Sequence, residues 1–177
     1  MNFLAATLLW TLILTALTVL LGVGATLWPE LWRILPRHRP AGLALGVITL
    51  AWSAWYGQLL LEGNLAPFRV WIWLAVPILA ALGYFHLDFL FTRALGGFVL
   101  LMMPFLLHGA FVAEIPHRSL FSLACYLFGL LGMVLVATPW YFRDLLERCS
   151  LSPRWRRTSA VVAGGCALFF AVFAVLA

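Results

Sequence analysis

Residues 130–157 read LLGMVLVATPWYFRDLLERCSLSPRWRR. An apolar helical run reaches Thr138-Pro139, aromatics follow, and Arg143, Arg148, Arg154, Arg156 and Arg157 then crowd around only Asp144 and Glu147. Guanidinium groups resist crossing a bilayer, so a basic cluster beside apolar helices marks the cytoplasmic face of a membrane protein. The rest of the chain is oriented from this point.

Hydrophobic residues make up 65% of the 177 residues and charged residues 10%. The mean hydropathy is +1.06. A soluble domain carries about a quarter charged residues, so this composition predicts a single all-α, polytopic transmembrane helical bundle. All 11 basic residues are arginine, and the net charge is +5. Arginine keeps its charge and grips phosphate bidentately. The arginines flank apolar runs, which suits anionic lipid headgroups and excludes a nucleic-acid surface.

Six spans are expected, at about 3–28, 41–61, 70–87, 94–113, 119–142 and 158–177. The fifth holds roughly ten Leu, Val or Phe residues, each worth about 0.3–0.6 kcal/mol toward insertion. The third is the weakest, with Pro77 inside it and His86 and Asp88 at its end, and a re-entrant pair of spans 3 and 4 is the alternative. The first lacks a charged n-region and a clean cleavage site, so it reads as a retained span rather than a signal peptide. Thr7, Thr11, Thr15, Thr18 and Gly22 share one of its faces, and Gly42 and Gly46 form GxxxG in the second; both stripes suit helix–helix contact.

Arginines divide nine against two between the odd-numbered and even-numbered loops. Arg33, Arg37 and Arg39 fall in the first loop and the 143–157 group in the last. This bias predicts both termini outside, in a bacterial inner membrane. Leu20-Leu21-Gly22, Pro29, Trp32-Arg33 and Leu35 also match Leu130-Leu131-Gly132, Pro139, Phe142-Arg143 and Leu145 at an offset of 110. Either a duplication or shared interfacial physics explains the match.

Polar groups inside a bilayer are costly and therefore functional suspects. An outer-half set consists of Tyr56, Gln58, Glu62, His108, Glu114, His117, Cys125 and Tyr126, with Ser122 nearby. His108 falls ~8 Å from its helix end at 1.5 Å per residue. These residues are candidates for binding a ligand. A haem needs ligands at matching depth; only His108 and His117 share a side, and His117 falls in the loop. Cys125 with His108 is the only nucleophile–base pair. His108, Glu114 and His117 lack any recognised zinc spacing. Cys125, Cys149 and Cys166 lack CxxC spacing and are expected as free thiols. Asp88 and Arg93 are positioned to pair across a tight turn, and Arg143 and Glu147 stand at i, i+4.

There is no GxSxG, Walker A or HExxH motif. The expectation is a non-enzymatic subunit or scaffold of a membrane assembly, with no cofactor, no metal and no catalytic residue assigned. Its partners would be the bilayer, anionic headgroups, and a second membrane protein or another copy of the chain. Two alternatives are a small-solute transporter or binding protein using the outer polar set, and an intramembrane haem or redox protein.

Overall fold

A computed structural model describes residues 3–24, 27, 35–59, 61 and 63–176. Among them are seven α-helices and no strand: α1 Phe3–Val19, α2 Arg39–Leu59, α3 Arg69–His86, α4 Leu90–Val112, α5 Arg118–Ala137, α6 Trp140–Leu151 and α7 Pro153–Val175. A π-helical turn, Leu20–Gly24, extends α1, and 3-10 turns at Leu35–Arg37 and Gly63–Phe68 precede α2 and α3.

Among the described residues, five stretches are long and apolar enough to cross a membrane: Phe3–Gly24, Leu65–His86, Leu90–Val112, Arg118–Ala137 and Pro153–Val175. The expectation was six. Helix α2 has 21 residues, but Trp52, Ser53, Trp55, Tyr56 and Gln58 dilute the hydropathy of its second half.

The predicted span 119–142 is cut at Ala137. Pro139 has no N–H to donate, and the residue before a proline is pushed out of the helical region. Thr138 accordingly sits at φ −128°, ψ 66°. The same device separates α6 from α7, where Ser152 is extended (φ −123°, ψ 120°) and Pro153 opens the new helix. The last helix thus starts at Pro153 rather than Thr158 and carries Arg154, Arg156 and Arg157 in its first turns.

The core lies among α1, α4, α5 and α7. Trp10 and Leu14, Met102 and Leu106, Phe121 and Cys125, and Phe170 and Phe173 meet there, and Ile115 plugs one end. Helix α2 packs along α4, and α3 packs on α2 outside the core. Lipid tails are as apolar as leucine, so helices in a bilayer associate through close packing rather than hydrophobic burial. Glycines supply that closeness here. A Cβ on Gly42 would lie 2.6 Å from the Phe91 nitrogen of α4. A Cβ on Gly96 would lie 2.8 Å from the Gly132 carbonyl of α5. The GxxxG face of α2 therefore contacts α4; a Cβ on Gly46 would lie 3.9 Å from the Ala94 Cβ.

The threonine stripe of α1 behaves differently from a bonded interface. Thr7, Thr11, Thr15 and Thr18 each donate to the carbonyl four residues back, at 2.5–2.8 Å. Their hydroxyls are satisfied within α1, and Thr15 is exposed. Thr18 instead contributes its methyl to α7, 3.3 Å from a Cβ on Gly164.

Three turn residues have left-handed backbones: Phe89 (φ 55°), Glu114 (φ 49°) and His117 (φ 54°). A residue with a Cβ pays roughly 1–2 kcal/mol there. Glu114 is exposed and makes no side-chain hydrogen bond or ion pair among the described residues. Glu114→Gly should therefore raise stability by about 0.5–1 kcal/mol, after the entropy that glycine adds to the unfolded chain. A thermal-unfolding midpoint unchanged or lowered in detergent would contradict this.

Candidate functional site

The helices alternate in direction, so the bundle has two chemically distinct ends. One end gathers Arg39, Arg93, Arg143, Arg148, Arg154, Arg156 and Arg157; the other has Arg69 and Arg118. Arg33 and the side chain of Arg37 lie outside the described residues. So do Pro29 and Trp32, and with them much of the first copy of the internal match. The described part of that copy differs locally from the second: Leu20-Leu21-Gly22 is π-helical, whereas Leu130-Leu131-Gly132 is regular α-helix.

The outer polar set lies toward the arginine-poor end. Glu62 is outside the described residues. Gln58 Oε1 accepts a hydrogen bond from Trp73 Nε1 at 2.9 Å, which ties α2 to α3. Tyr56 rests its ring against Trp52 and Phe105, with centroids 6.4 Å away in both cases. His108, Glu114 and His117 are exposed. Ser122 donates to the Arg118 carbonyl at 2.8 Å. Cys125 is buried and Tyr126 exposed, and these two come together on a groove of about 340 Å³ between α4 and α5. The remaining wall of that groove is apolar: Leu100, Met103, Pro104, Leu107, Gly129, Leu130 and Met133.

No hydrogen bond joins Cys125 to His108, and neither His108 nor His117 lines this groove. Among the described residues no three His, Cys, Asp or Glu side chains stand together as a metal set. The three cysteines are free thiols.

A second concavity, of about 440 Å³, opens between α5 and α7. Ala124, Leu127, Phe128 and Leu131 form one wall; Val162, Gly165, Cys166, Phe169 and Phe170 form the other. Trp10 stands behind it, nearly perpendicular to Phe128 (5.5 Å) and Phe170 (6.3 Å). Its buried Nε1 has no hydrogen-bond partner.

The basic end is the better organised. Helix α6 seats Leu146 and Cys149 against Leu21 of the π turn and Ala163 of α7, with Phe142 and Ala160 beside them. Cys149 Sγ lies 3.4 Å from Ser159 Oγ. Charges and aromatics occupy the rest of the helix surface. Arg143 pairs with Asp144 at 2.7 Å, not with Glu147, and stands 5.9 Å over Phe89. Arg148 stands 5.6 Å over Trp155 and Arg39 5.8 Å over Tyr84. Such contacts are worth about 0.5–1 kcal/mol each when exposed.

Arg93 does not pair with Asp88. Its Nη1 donates to the Val136 carbonyl at 2.8 Å, in the last turn of α5. Carbonyls there have no intrahelical donor, and a cation also answers the negative end of the helix dipole. Its Nε and the neighbouring Thr92 Oγ1 are buried without partners.

Sequence reasoning missed three features: α6 as a separate seated helix, the capping role of Arg93, and both apolar concavities. Pro139 and Pro153 bracket 12 residues of Trp140–Leu151 with Phe142, Leu146 and Cys149 on one face, so the spacing for α6 was available. Arg93 and the concavities depend on which helices become neighbours, and no local pattern encodes that.

No family model matches the chain, and no curated protein or solved structure matches it.

Proposed function

We propose that this is a six-span integral membrane protein that acts as a non-enzymatic subunit or scaffold of a membrane assembly. The one observation that carries the reading is the position of α3. Its one buried residue among those described is Gly83, and it packs chiefly on α2, touching α4 near Leu90, where a Cβ on Gly83 would lie 3.4 Å from Leu90 Cδ1. Val70, Trp71, Ile78 and Phe85 are between half and three-quarters exposed along it. A helix held chiefly by one neighbour leaves a long flank open to a second protein, whereas the two concavities on α5 are walled by apolar side chains and give a polar solute little to bond.

Helix α2 is taken as the sixth span. It lies between α3 and α4, each long and apolar enough to cross, and a helix running alongside them crosses the same thickness. The aromatic and polar residues of its far half then sit in the interfacial belt. Arginine bias supports the basic end in the cytoplasm and both termini outside, in a bacterial inner membrane, against anionic lipid headgroups.

A photo-reactive side chain at Trp71, Ile78 or Leu82 should give an adduct with another membrane protein or with a second copy. The same probe at Leu168 on α7, which is 67% exposed, should give none. Strictly monomeric migration with no α3 adduct would remove the scaffold reading. Impermeant thiol labelling of single-cysteine variants at Arg154 or Arg157 should occur from the cytoplasmic side; labelling from outside would reverse the orientation.

A further inference from the structure

We propose that the cleft between α5 and α7 holds one anionic phospholipid, with an acyl chain against its apolar walls and the phosphate at Arg148 and Trp155. The proposal rests on membrane embedding but not on a partner protein.

The cleft's geometry comes first. Helices α5 and α7 touch through large rings, Phe121 and Phe128 against Phe170, at 5.5 and 5.7 Å. Those rings hold the backbones apart and leave about 440 Å³ between them. Gly165 faces this space, and a Cβ there would meet no atom within 4 Å. The lining is apolar throughout apart from the Cys166 thiol. A concavity of that kind on the flank of a bilayer protein is filled by hydrocarbon, since leaving it empty forfeits dispersion contacts.

The headgroup position follows from the helix period. Val162, Cys166 and Phe169 line the cleft, and Trp155 lies seven positions before Val162, on the same face of α7. At 1.5 Å per residue that is about 10 Å closer to the basic end, and Trp155 to Phe170 spans about 22 Å, comparable with one extended acyl chain. Trp155 is half-exposed, with the Arg148 guanidinium 5.6 Å over its ring. Arg148 makes no ion pair among the described residues, so its charge is free to take a phosphate, which a guanidinium engages bidentately. Helix α6 supplies Arg148 and is itself seated on α1 and α7 by Leu146 and Cys149. The cation is thus held by tertiary packing at the end of the cleft.

The test is native mass spectrometry of the full-length protein in detergent, titrated with dioleoylphosphatidylglycerol or dioleoylphosphatidylcholine. A one-to-one adduct should form preferentially with phosphatidylglycerol. Arg148→Gln should weaken that adduct about fivefold, the worth of one cation at a lipid surface, and leave the phosphatidylcholine adduct unchanged. Gly165→Phe, whose Cβ would meet no atom within 4 Å, projects a ring into the cleft and should abolish retention of both lipids. Gly129→Phe projects a ring into the other groove, where a Cβ also meets nothing within 4 Å, and should change neither. Equal retention of the two lipids by the wild type, or phosphatidylglycerol retention that survives both Arg148→Gln and Gly165→Phe, overturns the proposal. So does a co-purifying protein, rather than a lipid, lost with Gly165→Phe. Absence of α3 adducts would remove the scaffold reading and leave these outcomes untouched.

Discussion

Gly96→Leu should separate α5 from α4 and remove a large part of the bundle's stability. A Cβ at Gly96 would lie 2.8 Å from both the Gly132 carbonyl and Val136 Cγ2, and 3.0 Å from Leu135 Cβ. The carbonyl belongs to a helical backbone and has no room to turn aside. The clash is reciprocal, with a Cβ on Gly132 3.0 Å from the Gly96 carbonyl. Overpacking costs about 1–3 kcal/mol per site in well-packed interiors, and leucine adds three carbons beyond the clashing Cβ. The expected loss exceeds ~3 kcal/mol, a large part of a total stability of about 5–15 kcal/mol. No hydrophobic drive restores the contact in lipid, because the parted surfaces are solvated equally well by acyl chains. Separation would also draw Val136 away from Arg93, which donates to its carbonyl at 2.8 Å.

Buried Cys125, 2% exposed on α5, reports the event. Its reaction with a thiol dye during heating in detergent should begin roughly 10 °C lower for Gly96→Leu than for the wild type, at about 2–4 °C per kcal/mol for a chain of this size. Gly129→Leu lies on α5 with Cys125, where a Cβ meets nothing within 4 Å, and should shift little. Equal shifts for the two variants would show that the α4–α5 approach is not what holds the bundle.

Phe170→Ala should be the most damaging truncation in the core. Phe170 has no exposed surface and touches the rings of Trp10, Phe121, Phe128 and Phe169, with centroids 5.5–6.3 Å away. In water-soluble proteins a buried Phe→Ala change costs about 3–5 kcal/mol, part of it transfer and part cavity. Lipid is as apolar as the core, so the transfer part shrinks and the lost dispersion contacts decide the outcome. The lower end, about 3 kcal/mol, is therefore expected. Leu168→Ala, two residues away and exposed, should be nearly silent. A silent Phe170→Ala would mean that these rings merely fill space instead of joining α1, α5 and α7.

The two variants address different parts of the fold. Gly96 tests backbone contact between sequence neighbours α4 and α5. Phe170 tests side-chain contact between the first helix and the last, which closes the bundle. Loss at Phe170 alone would leave the α2–α4–α5 layer intact and free α1 with α7.

Much of the architecture was readable along the chain. Apolar runs of about 20 residues have only one low-energy form in lipid, because every backbone N–H and C=O must be satisfied within its own segment. Pro139 and Pro153 break the chain for an equally local reason, the missing N–H and the clash with the preceding residue, although the span expected at 119–142 ran through the first and the last span was expected to begin beyond the second. The arginine asymmetry was also plain, since it depends only on where residues fall between runs. The GxxxG pair at Gly42 and Gly46 pointed to a close contact but did not name α4 as the helix it meets.

The partner of each face was decided only in three dimensions. Thr7 to Thr18 read as a face for helix–helix contact, and Thr18 meets α7 with its methyl; the hydroxyls themselves turn back to carbonyls four residues earlier, which costs no docking entropy. Arg93 looked like a partner for Asp88 in the same turn, but the break at Pro139 leaves the Val136 carbonyl free beside it. Tyr56, Gln58, His108 and Cys125 share a depth in sequence without sharing a cavity. Depth is set by distance along a helix, whereas convergence depends on the rotation of each helix about its axis, and that rotation is fixed by glycines and aromatic rings on elements far apart in the chain.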